Sequence, residues 1–154
     1  MTTWKQALRE GAVSGSLASI LSAAYLVYAG ERRSTPAAPV NAISHWFFGR
    51  RALEADQPSM LYTVTGYLVH HCASMFWGVL HAKAWGCREE AKSPLNAAAG
   101  AIAGASVACF IDYQLTPKRL SPGFEHRLKQ PEMVNVYACF ALGLAIGSIL
   151  MRRR

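Results

Sequence analysis

Four stretches of the chain carry no Asp, Glu, Lys or Arg: residues 11–30, 59–82, 93–111 and 133–151. They are 20, 24, 19 and 19 residues long. A helix rises about 1.5 Å per residue, so about 20 apolar residues cross a hydrocarbon core of roughly 30 Å. The pattern predicts an all-α protein, an integral membrane bundle of four transmembrane helices. Its spans fall at about residues 8–30, 60–82, 94–115 and 132–151, and residues 1–154 form a single membrane domain.

The punctuation between the spans agrees. The long first connection opens with Pro36 and Pro39. Ile43, Trp46 and Phe47 then recur at i, i+3 and i+4, the spacing of one helix face. With Trp and Phe suited to the headgroup boundary, a short interfacial helix is expected over residues 40–49, stopping at Gly49 before Arg50 and Arg51. Pro94 suits the first turn of the third span, and Thr116 and Pro117 end it. Ser121, Pro122, Gly123 and Phe124 read as a turn, after which Pro131 and Glu132 open the fourth span. Lys5 and Arg9 precede the first apolar run as in a signal peptide, and Val27-Tyr28-Ala29 loosely fits a cleavage site. That run exceeds the roughly 7–15 residues of a signal core, so a retained first helix is expected.

Composition sharpens the picture. Charged residues are 16% of the chain, against about 25% in soluble domains, while apolar residues reach 52%. Mean hydropathy is nevertheless only +0.14. The spans are rich in Ala, Gly and Ser rather than Leu and Phe, which points to close helix packing. Gly11 and Gly15, Gly100 and Gly104, and Gly143 and Gly147 each stand four apart, on one helix face. One such pair means little in an alanine-rich chain. Three in four spans predict a tight bundle, with one groove open to a homo-oligomer or a larger membrane complex.

The net charge of +7 does not form a stripe. Basic residues are scattered through the connections and both ends, so the expected partners are membrane lipids and not nucleic acid. Eight flank the spans on one side (Lys5, Arg9, Lys83, Arg88, Lys92 and Arg152 to Arg154). Eight lie on the other: Arg32, Arg33, Arg50, Arg51, Lys118, Arg119, Arg127 and Lys129. The first set sits in shorter segments nearer the helix ends, so both termini are expected in the cytoplasm.

Two constellations stand out chemically. In span 2, Thr63, Tyr67, His70, Ser74, Trp77 and His81 recur every three or four residues. Such a polar stripe should face other helices and hydrogen bond to them, with a ligand site as the less favoured reading. His70, His71 and Cys72 project about 100° apart and cannot readily share one metal ion. A haem held through His70 or His81 is a minor alternative, because the other spans contain no histidine. No metal or other cofactor is expected. Cys72, Cys109 and Cys139 lie in spans, Cys87 lies in a connection, and there is no CxxC pair.

Asp112 falls in the last turn of span 3, where the helix end is already negative. It wants a cation, and Lys118, Arg119, His126 and Arg127 follow. The same end should receive His45, Arg50, Tyr113 and Asn135. The favoured reading is a salt-bridged loop that ties span 3 to span 4. The alternative is an outer-face cavity for an anionic headgroup or small polar solute.

Two segments carry a resemblance. One runs Pro39-Val40-Asn41-Ala42-Ile43-Ser44-His45-Trp46. The other runs Asp112-Tyr113-Gln114-Leu115-Thr116-Pro117-Lys118-Arg119-Leu120-Ser121-Pro122-Gly123-Phe124-Glu125. Both resemble motifs of uncharacterised small four-helix proteins of the proteobacterial inner membrane. The resemblance implies a bacterial inner (cytoplasmic) membrane location and no activity. It groups Asn41, Ser44, His45, Asp112, Arg119 and Glu125, to which Tyr113 and Arg127 are added as candidate ligand-binding residues.

No nucleophile elbow, phosphate loop, HExxH or dinucleotide fingerprint is present, and no enzyme is indicated. A non-catalytic accessory or assembly subunit is the leading expectation. A binding or transport module for a lipid, quinone or small polar solute at the Asp112 end is the alternative, and a haem protein the third.

Overall fold

The computed structural model describes residues 2–151; Arg152, Arg153 and Arg154, counted above among the cytoplasmic charges, lie outside the described residues. Among the described residues every regular element is a helix. The order is α1 (Trp4–Arg33), three short helices α2 (Ala38–Ile43), α3 (His45–Phe48) and α4 (Arg50–Leu53), then α5 (Thr65–His81), α6 (Pro94–Phe110) and α7 (Gln130–Leu150). Three of them are long and apolar enough to cross a membrane: α1, α6 with the wider π-helical turn that extends it to Leu115, and α7. The strictly α-helical part of α5 has 17 residues. π-Helical turns at Met60–Val64 and Ala82–Gly86 adjoin its two ends without a break.

Local chemistry sets the ends. Arg32 and Arg33 close α1, where positive charge is favourable. Before α5, the Ser59 hydroxyl accepts from the Tyr62 amide (3.0 Å), and the Thr63 hydroxyl accepts from the Ser59 amide (2.8 Å). This is a reciprocal cap in which Thr63 stands one residue beyond the usual Glu position. The Glu132 carboxylate likewise reaches back to the Lys129 amide (2.8 Å) at the start of α7.

Contacts group the chain into two compact units. The first comprises Met1–Ser22, His71–Ala108 and Tyr137–Arg154, and the second Ala23–His70 and Cys109–Val136. In the first, Ala18, Ala97, Ala101, Ala105, Ala141 and Ala145 form the core around Phe140 and Leu144, with Trp77 and Ile149 packed against it. Small residues let the backbones meet. A side chain at Gly11 would overlap the Val79 backbone, and one at Gly15 would overlap Ser74 and Met75. Gly143 faces the backbone of Ala18, and Gly147 that of Ser14. Gly100 and Gly104 behave differently, making room for the Trp85 indole and the His81 imidazole. All three glycine pairs are therefore filled from within the chain. The groove expected to stay open for another subunit is not among them.

In the second unit the connection after α1 is packed inward. Every residue of α2 is buried, as are Ser44 and His45. The Val40 carbonyl lies where a side chain at Gly66 would have to stand. Instead of one amphipathic helix over residues 40–49, two short helices meet at Ser44, and Gly49 (φ 56°) ends the second. Of the three residues read as one face, Ile43 is 3% exposed and Phe47 67%. A four-residue repeat marks an apolar face but does not say what that face meets.

Candidate functional site

The second unit gathers most of the polar residues singled out above. Asn41, fully buried, is its hub. Its amide nitrogen donates to the carbonyls of Ala55 (2.9 Å) and Gln57 (3.0 Å), and its oxygen accepts from the Thr63 hydroxyl (2.6 Å). The Ser44 hydroxyl donates to the Asn41 carbonyl (2.7 Å). One side chain thus ties α2 to the end of the connection and to the first turn of the helix after it. Asn41→Ala removes three hydrogen bonds. A loss of about 1–2 kcal/mol is expected, since the exposed Gln57 end can be rehydrated. Limited proteolysis should show faster cutting within residues 50–59, and an unchanged pattern would remove Asn41 as the tie.

His45 is 7% exposed, and its Nδ1 lies 2.9 Å from the Ala42 carbonyl. A carbonyl only accepts, so Nδ1 carries the proton; Nε2 is buried without a hydrogen-bond partner. Gly123, at φ 93°, presses on the Ala42 carbonyl and on the His45 ring, where any side chain would collide. The next turn, Phe124–His126, is therefore held against α2. The His126 ring stands edge-on to that of His45, centroids 6.3 Å apart. The Trp46 indole donates to the Ser121 carbonyl (2.8 Å), and the Ser121 hydroxyl donates to Glu125 Oε1 (2.5 Å). Glu125 Oε2 is buried without a partner, as is Nε of Arg127. A basic nitrogen, a carboxylate oxygen and a guanidinium N–H thus occur within two facing segments.

Arg127, one of the cations assigned to Asp112, pairs with Asp56. Arg33 pairs with Glu132 at 2.6 Å, and Asn135 donates to the Tyr25 hydroxyl at 2.8 Å. Asp112 and Tyr113 are half-buried on the turn Ile111–Leu115, and Arg119 is exposed on the turn Lys118–Leu120. The structure therefore brings Asn41, Ser44 and His45 together with Glu125 and Arg127, and leaves Arg119 at the surface. Asp56, Thr63, Ser121 and His126 complete the cluster. Thr63 was read as part of the span-2 stripe and His126 as a cation near Asp112, whereas Asp56 was not among the candidates and Ser121 was read only as part of a turn.

The stripe on α5 is divided between the two units. Tyr67 and His70, in the second, are half-buried. In the first, Ser74 and His81 are buried, Trp77 packs on the alanine core, and His81 Nε2 has no partner. His71, off the stripe, meets the Ser19 hydroxyl at 3.1 Å. The first unit also holds a polar centre that sequence patterning missed. Lys92 Nζ lies 2.5 Å from Glu10 Oε2, with the two side chains 3% and 7% exposed. Gln6 donates to the same carboxylate (3.0 Å), and the Cys87 thiol bonds to it as well. Among the described residues no three His, Cys, Asp or Glu side chains converge as a metal centre. Compared with family models, curated proteins and solved structures, the chain matches none of them.

Proposed function

We propose that the chain is a non-catalytic, four-span protein of the bacterial inner membrane, with both termini cytoplasmic, that acts as an accessory or assembly subunit. The observation that supports the membrane location is an inverted distribution of side-chain size. Ala, Gly and Ser fill the interior: Ala18, Ser19, Ser22, Ala97, Ala101 and Ala108 are at most 1% exposed. Long apolar side chains point outward from every long helix, among them Ile20, Phe76, Ile102, Phe110 and Leu142, each more than half exposed. Water would penalise that surface by about 25 cal/mol per Å² of exposed apolar area, whereas lipid does not. Residues 60–86 serve as the fourth span. With its π-helical ends this segment is long enough, and Leu61, Leu68 and Phe76 face outward from it. In this reading α3 lies at the headgroup level, which the exposed Phe47 supports, and Trp46 is anchored to Ser121. The resemblance of two sequence segments to small four-helix proteins of the proteobacterial inner membrane supports the same location.

Such a subunit is isolated with its partner. Purified in mild detergent, the protein should emerge as a homo-oligomer or with a stoichiometric membrane protein. A monodisperse monomer in native mass spectrometry would overturn the accessory role and leave the membrane location standing.

A second reading is favoured by the partnerless buried atoms of His45, Glu125 and Arg127. In it, the second unit binds a small polar solute or headgroup, with Asn41 and Gly123 holding the two segments that supply these atoms. Retention of one small molecule by wild type but not by His45→Ala would support this reading over the first.

A further inference from the structure

We propose that the first unit binds a phosphate-bearing anion in a pocket beside the start of α1, held by Lys5 and Arg9. The pocket has a volume of about 600 Å³. Its polar lining comes from Thr3 and the first turns of α1, with Lys5, Gln6, Arg9 and Glu10, and its apolar lining from Leu150 at the end of α7 and the following Met151.

The charge balance of this lining is set by a residue outside it. Glu10 is the only acid present, and its carboxylate is already met by Lys92 at 2.5 Å and by Gln6 at 3.0 Å. Among the described residues neither Lys5 nor Arg9 is ion-paired. They stand four apart, so they share a helix face, and both are exposed. A cavity with two unmatched cations selects an anion. A guanidinium beside an ammonium suits phosphate oxygens, the first by its planar fork and the second as a point charge. Leu150 and Met151 add an apolar surface, which a bare ion would not use but the body of a phosphate ester would.

The rim is held in place. Lys83 donates to the Thr2 carbonyl (2.5 Å), and its ammonium lies 5.1 Å from the centre of the Trp4 ring. The segment leading into α1 is thereby tied to the turn after α5. The ligand chemistry is that of a phosphate ester, supplied by an anionic phospholipid or by a soluble phosphate compound. Only the choice between these sources depends on the membrane location proposed above.

The test uses delipidated full-length protein in mild detergent, titrated with phosphatidylglycerol and followed by native mass spectrometry. Wild type should retain one lipid at least about tenfold more strongly than Lys5→Gln/Arg9→Gln. Lys118→Gln/Arg119→Gln removes the same charge from an exposed turn of the second unit and should behave as wild type. Displacement of the lipid by millimolar inorganic phosphate would assign the pocket to soluble phosphates. Resistance to it would assign the pocket to lipid. If Lys5→Gln/Arg9→Gln melts as wild type does and still retains the lipid equally, the proposal fails. Equal retention of zwitterionic phosphatidylcholine by wild type would overturn it too. Arg9→Lys guards against a folding artefact, because it keeps the charge and should keep most of the binding.

Discussion

Lys92→Met is expected to destabilise the protein by about 3–5 kcal/mol, the cost of leaving one member of a buried ion pair without the other. Lys92 is 3% exposed and holds the Glu10 carboxylate, itself 7% exposed, at 2.5 Å. The methionine preserves the length and apolar packing of the lysine stem, so the loss reports on charge. The companion is Glu10→Gln/Lys92→Met, which removes both charges and keeps a side-chain amide for Gln6 and Cys87. It should recover most of the stability, because replacing a whole buried pair is often close to neutral. Thermal unfolding in detergent measures both variants. A Lys92→Met protein as stable as wild type would show that the carboxylate is solvated or protonated. A double variant as unstable as the single one would show that the lysine acts through shape.

Gly143→Leu should be strongly damaging. A side chain at this position enters the backbone of Ala18 on α1, and a backbone inside a helix cannot step aside as a flexible side chain can. Overpacking of this kind costs about 3 kcal/mol, and more when no neighbour can shift. The neighbouring Leu142 supplies the control. It is 53% exposed on the outer surface, so Leu142→Ala should change stability by less than about 1 kcal/mol. The contrast between adjacent positions tests which side of α7 faces protein. Equal effects at the two would refute the packing described here, and a harmless Gly143→Leu would do so more directly.

The fate of the glycine pairs shows how far sequence reading reached. Small residues four apart announced that backbones approach closely, and at Gly11, Gly15, Gly143 and Gly147 they do. The same spacing at Gly100 and Gly104 accommodates Trp85 and His81 instead. Removing a side chain leaves space, and the spacing does not say what fills it. The stripe on α5 is similar. Its burial at Ser74 and His81 follows from the dislike of lipid for polar groups, whereas the meeting of His71 with Ser19 depends on how α1 and α5 cross.

The polar centres divide in the same way. Grouping Asn41, Ser44 and His45 with Glu125 rested on the resemblance, and these residues do share one unit. The partner of Arg127, Asp56, is 71 residues away and lies in a connection with no periodic signal. Glu10 and Lys92 were harder still. Each borders a charge-free stretch, where a charged residue ordinarily faces water or headgroups.

The primary structure alone determined that the protein is helical and that long segments of it are suited to lipid. Hydrocarbon accepts only a backbone that satisfies its own hydrogen bonds, and uninterrupted apolar runs record that demand residue by residue. It also determined where helices stop, because prolines, glycines and caps act over a few positions. Only the tertiary structure decided that residues 38–45 turn inward, that Lys92 is buried against Glu10, and that Lys5 and Arg9 stand unmatched beside a pocket. Each of these depends on which distant segment comes to lie opposite. Close packing and charge pairing act through space, and no local pattern encodes the identity of a neighbour dozens of residues away.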